Sequence, residues 1–287
     1  MRPLAFCFAL ALFASCAAVT GADHVMLRAS DGSSIGMGRL VEELAGADVV
    51  FLGEEHDATV AHRLQLEVTR QLHERHGQIV LSMEMFERDG QNALDLFLSG
   101  TIDEPEFLAL ARTWSNYEAD YAPAVRFARD QGVPILAANV YRPIASKAAK
   151  YGWRSAIGSP WAARQVSAPE GPYRDRFIAS MSDIPGHGEG FPPEVMQRFY
   201  EAQCLKDDTM AESIARHFDE SGPNAPPIVH WCGRFHSDFG LGTVERLRKR
   251  RPDLNILVVS AAKSEDLGAS APALDRERGD YLWYVLP

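Results

Sequence analysis

Six short, nearly continuous apolar runs constrain the fold of this chain more than any other feature: 48–52, 78–83, 133–138, 227–231, 254–260 and 281–286. Runs of this length without polar alternation are expected as strands covered on both faces. Helical periodicity fills the gaps. From 57 to 77, Val60, Leu64, Val68 and Leu72 recur every four residues, with Asp57 placed as an N-cap and Gly77 as a C-terminal stop. Strands alternating with helices predict an α/β fold, a central mostly parallel sheet flanked by helices. The stretch 141–221 breaks the rhythm, being helical in pattern around the Gly/Pro-rich segment 182–193. A helical insertion with a lid-like loop is expected there.

Composition fits one such domain. With 287 residues, 46% of them hydrophobic and 24% charged, the chain can bury a sizeable core. A formal net charge of -10 argues against nucleic acid as a partner, because phosphate binding needs a concentrated basic surface. Anionic membranes are disfavoured on the same ground. The N-terminus reads differently: Arg2, an apolar run from Leu4 to Phe13 and small residues after it have the layout of a secretory signal over 1–22. That run falls short of the about 20 apolar residues a membrane span requires. The expected product is exported, periplasmic or lipid-anchored to the cell envelope. Cleavage near Ala18 or Ala22, and lipidation at Cys16 of the lipobox-like Phe13-Ala14-Ser15-Cys16, both stay open. The mature part, 23–287, is expected to be a single domain that keeps Cys204 and Cys232, as a pair or as two buried thiols.

Ligands of open α/β sheets sit beyond the carboxyl ends of the strands, and polar residues gather at those ends here. The first run leads into Gly53-Glu54-Glu55-His56, the second into Glu84-Met85-Phe86-Glu87, the third into Asn139, and the fourth into Gly233-Arg234-Phe235-His236-Ser237-Asp238. If these strands are neighbours, Glu54, His56, Glu84 and His236 meet in one cleft. Two imidazoles and two carboxylates suit either of two chemistries: a divalent metal held by His56, Glu84 and His236, or a general base with an orienting acid acting on water. The glycine before each turn is expected to give the backbone freedom to swing the side chain over the sheet edge.

Other candidates line or approach that cleft. Tyr200, Gln203 and Asp207 share one helix face at i, i+3 and i+7, while Met210, Ile214 and Phe218 continue as an apolar stripe. Such a polar stripe either lines a site, together with Arg234 and Asp238, or faces solvent. Trp114, Tyr117 and Tyr121 cluster before a helix ending near Gly132; clustered aromatics are core by default, yet tyrosinate also ligates ferric haem. His187, in a Gly-flanked loop, is placed to cap a ligand or to face water. Cys-x-x-Cys-His, His-Glu-x-x-His, P-loop and Gly-x-Ser-x-Gly patterns are absent from the sequence.

Taken in order, Val49-Val50-Phe51-Leu52-Gly53-Glu54-Glu55-His56, Ser82-Met83-Glu84-Met85-Phe86, the helix from Tyr200 to Ala211 and Gly233-Arg234-Phe235-His236-Ser237-Asp238 resemble the ChaN family. These are bacterial haem-binding uptake lipoproteins within the Tiki/TraB superfamily. The resemblance runs from about Asp48 to Val259. It implies an exported α/β protein that binds haem as a face-to-face pair at a homodimer interface, with tyrosine on the iron; Tyr117, Tyr121, Tyr173 and Tyr200 compete for that role. The wider superfamily also implies a metal-dependent hydrolase, of protease or esterase type, marked by paired Gly-x-x-His motifs and a glutamate. Those positions match Gly53 and His56, Gly233 and His236, and Glu84. Haem binding in haem or iron uptake is therefore the leading expectation, and the hydrolase the alternative. The only membrane contact expected is through a lipid anchor.

Overall fold

All six apolar runs are strands of one sheet. The computed structural model describes residues 20–21, 23–182, 190–265, 267 and 273–287. Its strands are β1 (Thr20–Gly21), β2 (His24–Arg28), β3 (Val49–Glu54), β4 (Val80–Glu87), β5 (Ile135–Asn139), β6 (Ile228–Gly233), β7 (Ile256–Lys263) and β8 (Tyr281–Val285). Their spatial order is β1-β2-β8-β7-β3-β6-β4-β5. Strands β3 to β8 run parallel; β2 is antiparallel to β8, and the two-residue β1 closes that edge antiparallel to β2. The mostly parallel sheet expected from the apolar runs is therefore present. The strands missed by the sequence pattern are β1 and β2, whose two and five residues are too few to show a period.

Helices α1 (Met37–Leu44), α2 (Thr59–His76), α3 (Gln91–Leu98), α4 (Glu104–Leu110) and α5 (Ala122–Gln131) follow the first strands. Leu40, Leu64, Val68, Leu94 and Val125 from this group pack with Val50 and Leu52 on one sheet face. Helices α6 (Arg142–Tyr151), α7 (Pro172–Ser182) and α8 (Pro193–Ser221) lie between β5 and β6 with no strand among the described residues, and α9 (Gly242–Arg250) follows β6. Ile214 and Phe218 of α8 with Val244 and Leu247 of α9 pack on Val49, Phe51 and Ile228. Alternate residues of β3 thus serve opposite cores, which is why its sequence shows no polar alternation.

One local expectation changes. Asp57 does not cap α2: the helix begins at Thr59 with Ala58 at the cap, and the Asp57 carboxylate accepts from Lys263 Nζ at 2.7 Å instead. Gly77 does end α2, in the left-handed conformation at φ 73°. Residues 183–189, with His187 and most of the expected lid, lie outside the described residues. No helix among the described residues is long and apolar enough to cross a membrane. Cys204 and Cys232 are separate, buried free thiols.

Candidate functional site

Strand β6 lies between β3 and β4, so the two Gly-x-x-His turns and Glu84 arrive side by side at the carboxyl edge. The turns interlock through their glycines. A Cβ on Gly233 would sit 2.8 Å from His56 Nε2, and one on Gly53 would sit 2.6 Å from Ser237 Oγ and 3.0 Å from the Arg234 Cα. Each glycine faces the other turn: a side chain at 53 would meet backbone, and one at 233 would displace the His56 ring. The backbone freedom expected of them is not used: Gly233 has φ -58° and ψ 134°, angles open to any residue.

His56 stands at the surface of this edge, its side chain 45% exposed. Its Nδ1 lies 2.9 Å from Glu54 Oε1, which also accepts from the Tyr121 hydroxyl at 2.7 Å. The other Glu54 oxygen lies 2.9 Å from His62 Nε2, and His62 Nδ1 lies 3.1 Å from Asp120 Oδ1. Tyr121 and Asp120 come from a five-residue π-helix, Tyr117–Tyr121, leading directly into α5. The widened turn seats both side chains over the end of β3, the usual setting of such an irregularity. Trp114 packs edge-on to His56 at 4.7 Å between ring centroids. Burial opposes charge on His56, but the Glu54 hydrogen bond and the Glu84 charge hold the imidazole pKa above its ordinary 6.5.

His236 is the buried counterpart. Its Nδ1 lies 2.7 Å from Asp207 Oδ1 and its Nε2 3.1 Å from Glu84 Oε1. Asp207 also accepts from Thr243 Oγ1 at 2.9 Å and from the Tyr173 hydroxyl at 2.6 Å, and Glu84 Oε2 accepts the Gly233 N–H at 2.7 Å. Burial works against charge on His236, yet Glu84 and Asp207 push its pKa up to about 10. Burial likewise opposes the Glu84 charge, and His236 outweighs it, holding the carboxyl well below the usual range. The inward polar stripe of α8 is therefore a site wall: Asp207 clamps His236, and Gln203 Nε2 reaches both Tyr173 Oη and His236 Nδ1, at 3.3 and 3.4 Å.

A cavity of about 460 Å³ opens over these groups, lined among others by His56, Glu84, Trp114, Gln203, Lys206 and His236. Asn139 lines it too and donates Nδ2 to the Glu84 carbonyl at 3.0 Å. Arg234 and Asp238 stand behind the second turn: they pair at 3.0 Å, Arg234 also reaches Glu55 at 3.2 Å, and Asp238 accepts from Ser260 Oγ at 2.6 Å. The sequence pattern did not reveal His62, which sits on the apolar face of α2, or Asp120, hidden in the π-helix. Lys206 was also passed over; among the described residues it makes no ion pair.

Neither candidate ligand finds a complete donor set in the cleft. Among the described residues, no group of three or more His, Cys, Asp and Glu side chains is arranged to hold a metal ion. Both ring nitrogens of His236 already face carboxylates. For haem, the four proposed tyrosines are buried and their hydroxyls donate internally: Tyr117 to Glu104 at 3.2 Å, Tyr121 to Glu54, Tyr173 to Asp207, and Tyr200 to the Pro169 carbonyl at 2.6 Å. Burial, reinforced at the first three by the neighbouring carboxylate, raises each phenol pKa above its ordinary 10.

Residues 40–247 match the family model described as haem-binding uptake, Tiki superfamily, ChaN, and the chain belongs to that family. Among solved structures, one described as cofacial heme binding to ChaN of Campylobacter jejuni superimposes with a TM-score of 0.72 at 19% identity, covering 93% of this chain and 98% of that one. More distant are the type III effector HopBA1, at 12% identity and TM-score 0.48 over 87% and 93% of the two chains, and the erythromycin esterase EreC, at 12% and 0.48 over 84% and 77%. No curated protein matches the sequence.

Proposed function

We propose that this chain is an exported haem-binding protein that acts in haem or iron uptake at the cell envelope, and that two copies meet around the haem. The match of residues 40–247 to the haem-binding uptake family carries this reading. The cofacial haems of the Campylobacter jejuni ChaN, similar in fold over nearly the whole chain, support the paired arrangement. The signal-like N-terminus supports export and an envelope location, periplasmic or anchored through Cys16. Titrating the purified protein with hemin is expected to give saturable growth of a Soret band, with conversion to a dimer in gel filtration. A linear, unsaturated response overturns the reading.

One observation favours a second activity. Glu54, buried and held by Tyr121, fixes His56 through Nδ1 and leaves Nε2 beside Gly233 on the cavity wall. An imidazole so oriented suits a general base acting on water, with Glu84 and His236 beneath the reacting group. Hydrolysis of an ester or amide is the reaction class this supports, with or without a divalent metal. Elemental analysis of protein purified without chelators, followed by assays on ester and peptide panels with and without added divalent metals, tests it. Activity unchanged in His56→Ala would assign the hydrolysis to a contaminant.

A further inference from the structure

We infer that the cavity over the two Gly-x-x-His turns takes a small substrate with an apolar body and one free carboxylate, and that Lys206 holds that carboxylate. This rests on the hydrolytic reading of the cavity and adds the substrate class and the residue that selects it. The titratable side chains lining the cavity are His56, Glu84, Glu87, Arg142, Lys206 and His236. Five of them have partners in the protein. His56 is held by Glu54, and His236 stands between Glu84 and Asp207. Glu87 Oε2 accepts from Arg112 Nε at 3.1 Å and from the Arg142 N–H at 2.9 Å, and its Oε1 lies 3.4 Å from Arg142 Nε. Lys206 makes no hydrogen bond or ion pair with any described residue.

An unpaired lysine on an outer surface is simply hydrated, but Lys206 is half-buried in a cavity wall. It lies one turn beyond Gln203, on the face of α8 that meets His236. Its flexible stem carries a compact point charge into a hollow whose carboxylates are already taken. Glu84 is engaged by His236 and the Gly233 N–H, and Glu87 by the two arginines. An anion that enters therefore meets a cation with no internal bond to break. One unpaired positive charge matches one negative charge, which favours a carboxylate over a phosphate dianion.

The remaining wall describes what carries the carboxylate. Trp114, Val140, Ala145, Phe177 and Phe235 give it apolar surface, and its volume of about 460 Å³ falls in the range of small-molecule sites. Direction follows from a neighbouring hollow of about 1020 Å³, which shares His56, Trp114 and Arg142 and is lined by Glu55, Asp57 and Asp120. His56 thus stands between a side with an unpaired cation and a side rich in carboxylates. Like-charge repulsion turns the anionic end of a substrate toward Lys206 and leaves its uncharged end across His56.

The test is calorimetric titration of the purified protein with 3-phenylpropionate and with its uncharged amide, 3-phenylpropionamide. Wild type is expected to bind the carboxylate about tenfold more tightly, as one hydrogen bond between charged groups allows. Lys206→Met should weaken the carboxylate to the level of the amide and leave the amide unchanged. Lys206→Glu should reverse the order and favour 3-phenylpropylamine. In hydrolysis, esters with a free carboxylate on the acyl side should exceed their methyl-capped forms in kcat/KM, and Lys206→Met should remove that advantage. A carboxylate preference that persists in Lys206→Met overturns the assignment, and hydrolysis indifferent to substrate charge overturns the substrate class; both leave the hydrolytic reading standing. A preference that follows Lys206 without hydrolysis of any ester supports the anion site and removes the hydrolytic reading instead. No saturable binding of either probe overturns the inference.

Discussion

The two Gly-x-x-His turns carry the same residue types at the same spacing, and the fold treats their histidines in opposite ways. His56 is half-exposed on one carboxylate, while His236, with 6% of its side chain exposed, is clamped between two. The difference comes from what stands over each turn. Helix α8 covers the second, bringing Asp207 and, through Asp207, Tyr173; Trp114 and the π-helix border the first. One motif therefore supplies a fixed buried charge and the other an accessible imidazole. A motif match alone would have assigned both the same role.

Removing each imidazole should expose this asymmetry most strongly. His236→Ala leaves Glu84 and Asp207 buried without their shared cation, a change expected to cost about 3–5 kcal/mol. His56→Ala should cost under about 1 kcal/mol, since an exposed pair contributes little. Urea denaturation of both variants measures the gap, and equal losses would refute the asymmetry. The same contrast governs pH dependence. The folded pKa of His236 is raised to about 10, so its contribution is full below its unfolded value of 6.5 and fades as pH rises toward 10. Glu84 has the opposite sign: its folded value is depressed, so its contribution is full above 4.5 and lost as pH falls below that. Stability from the pair should therefore peak between these limits and decline on both sides by less than the His236→Ala loss. A denaturation midpoint that stays flat from below pH 4.5 up to pH 10 would show that the pair does not titrate with folding.

The glycines separate the turns by a smaller amount. Ala at 53 meets Ser237 and the Arg234 backbone, which has little room to yield, whereas Ala at 233 meets the half-exposed His56 ring, which can swing outward. Gly53→Ala is expected to cost about 1–3 kcal/mol and Gly233→Ala less. Thermal unfolding ranks them. The reverse order would mean that His56 is held more rigidly than its exposure suggests.

How much of this was legible in the sequence depended on whether a feature was periodic or tertiary. The strands β3 to β8 were legible because burial on both faces forces continuous apolar runs, and their carboxyl ends placed Glu54, His56, Glu84 and His236 together. The α8 stripe was half legible: spacing put Gln203 and Asp207 on one face, but only packing shows that the face points inward. His62 was not legible, because a histidine among Leu64 and Val68 reads as a tolerated core residue, and its partner Asp120 depends on a π-turn with no sequence period. The glycines were noticed for the wrong cause, since their neighbours lie about 180 residues away along the chain.

The smallest expected effect probes what keeps His56 accessible yet oriented. Tyr121→Phe removes the hydroxyl that donates to Glu54 Oε1 and leaves that oxygen to His56 alone. Glu54 keeps its approach to His62 on the other oxygen, so the loss should be about 1 kcal/mol, within the range for one hydrogen bond. If Tyr121 positions His56 through their shared acceptor, the two losses cannot be independent: His56→Ala should cost less in the Tyr121→Phe background than in wild type, with a coupling of about 0.5 kcal/mol or more. Urea unfolding of both single variants and the double variant measures it. Strict additivity would mean that Glu54 holds His56 without help from Tyr121, and that the π-helix serves the His62–Asp120 side of the site instead.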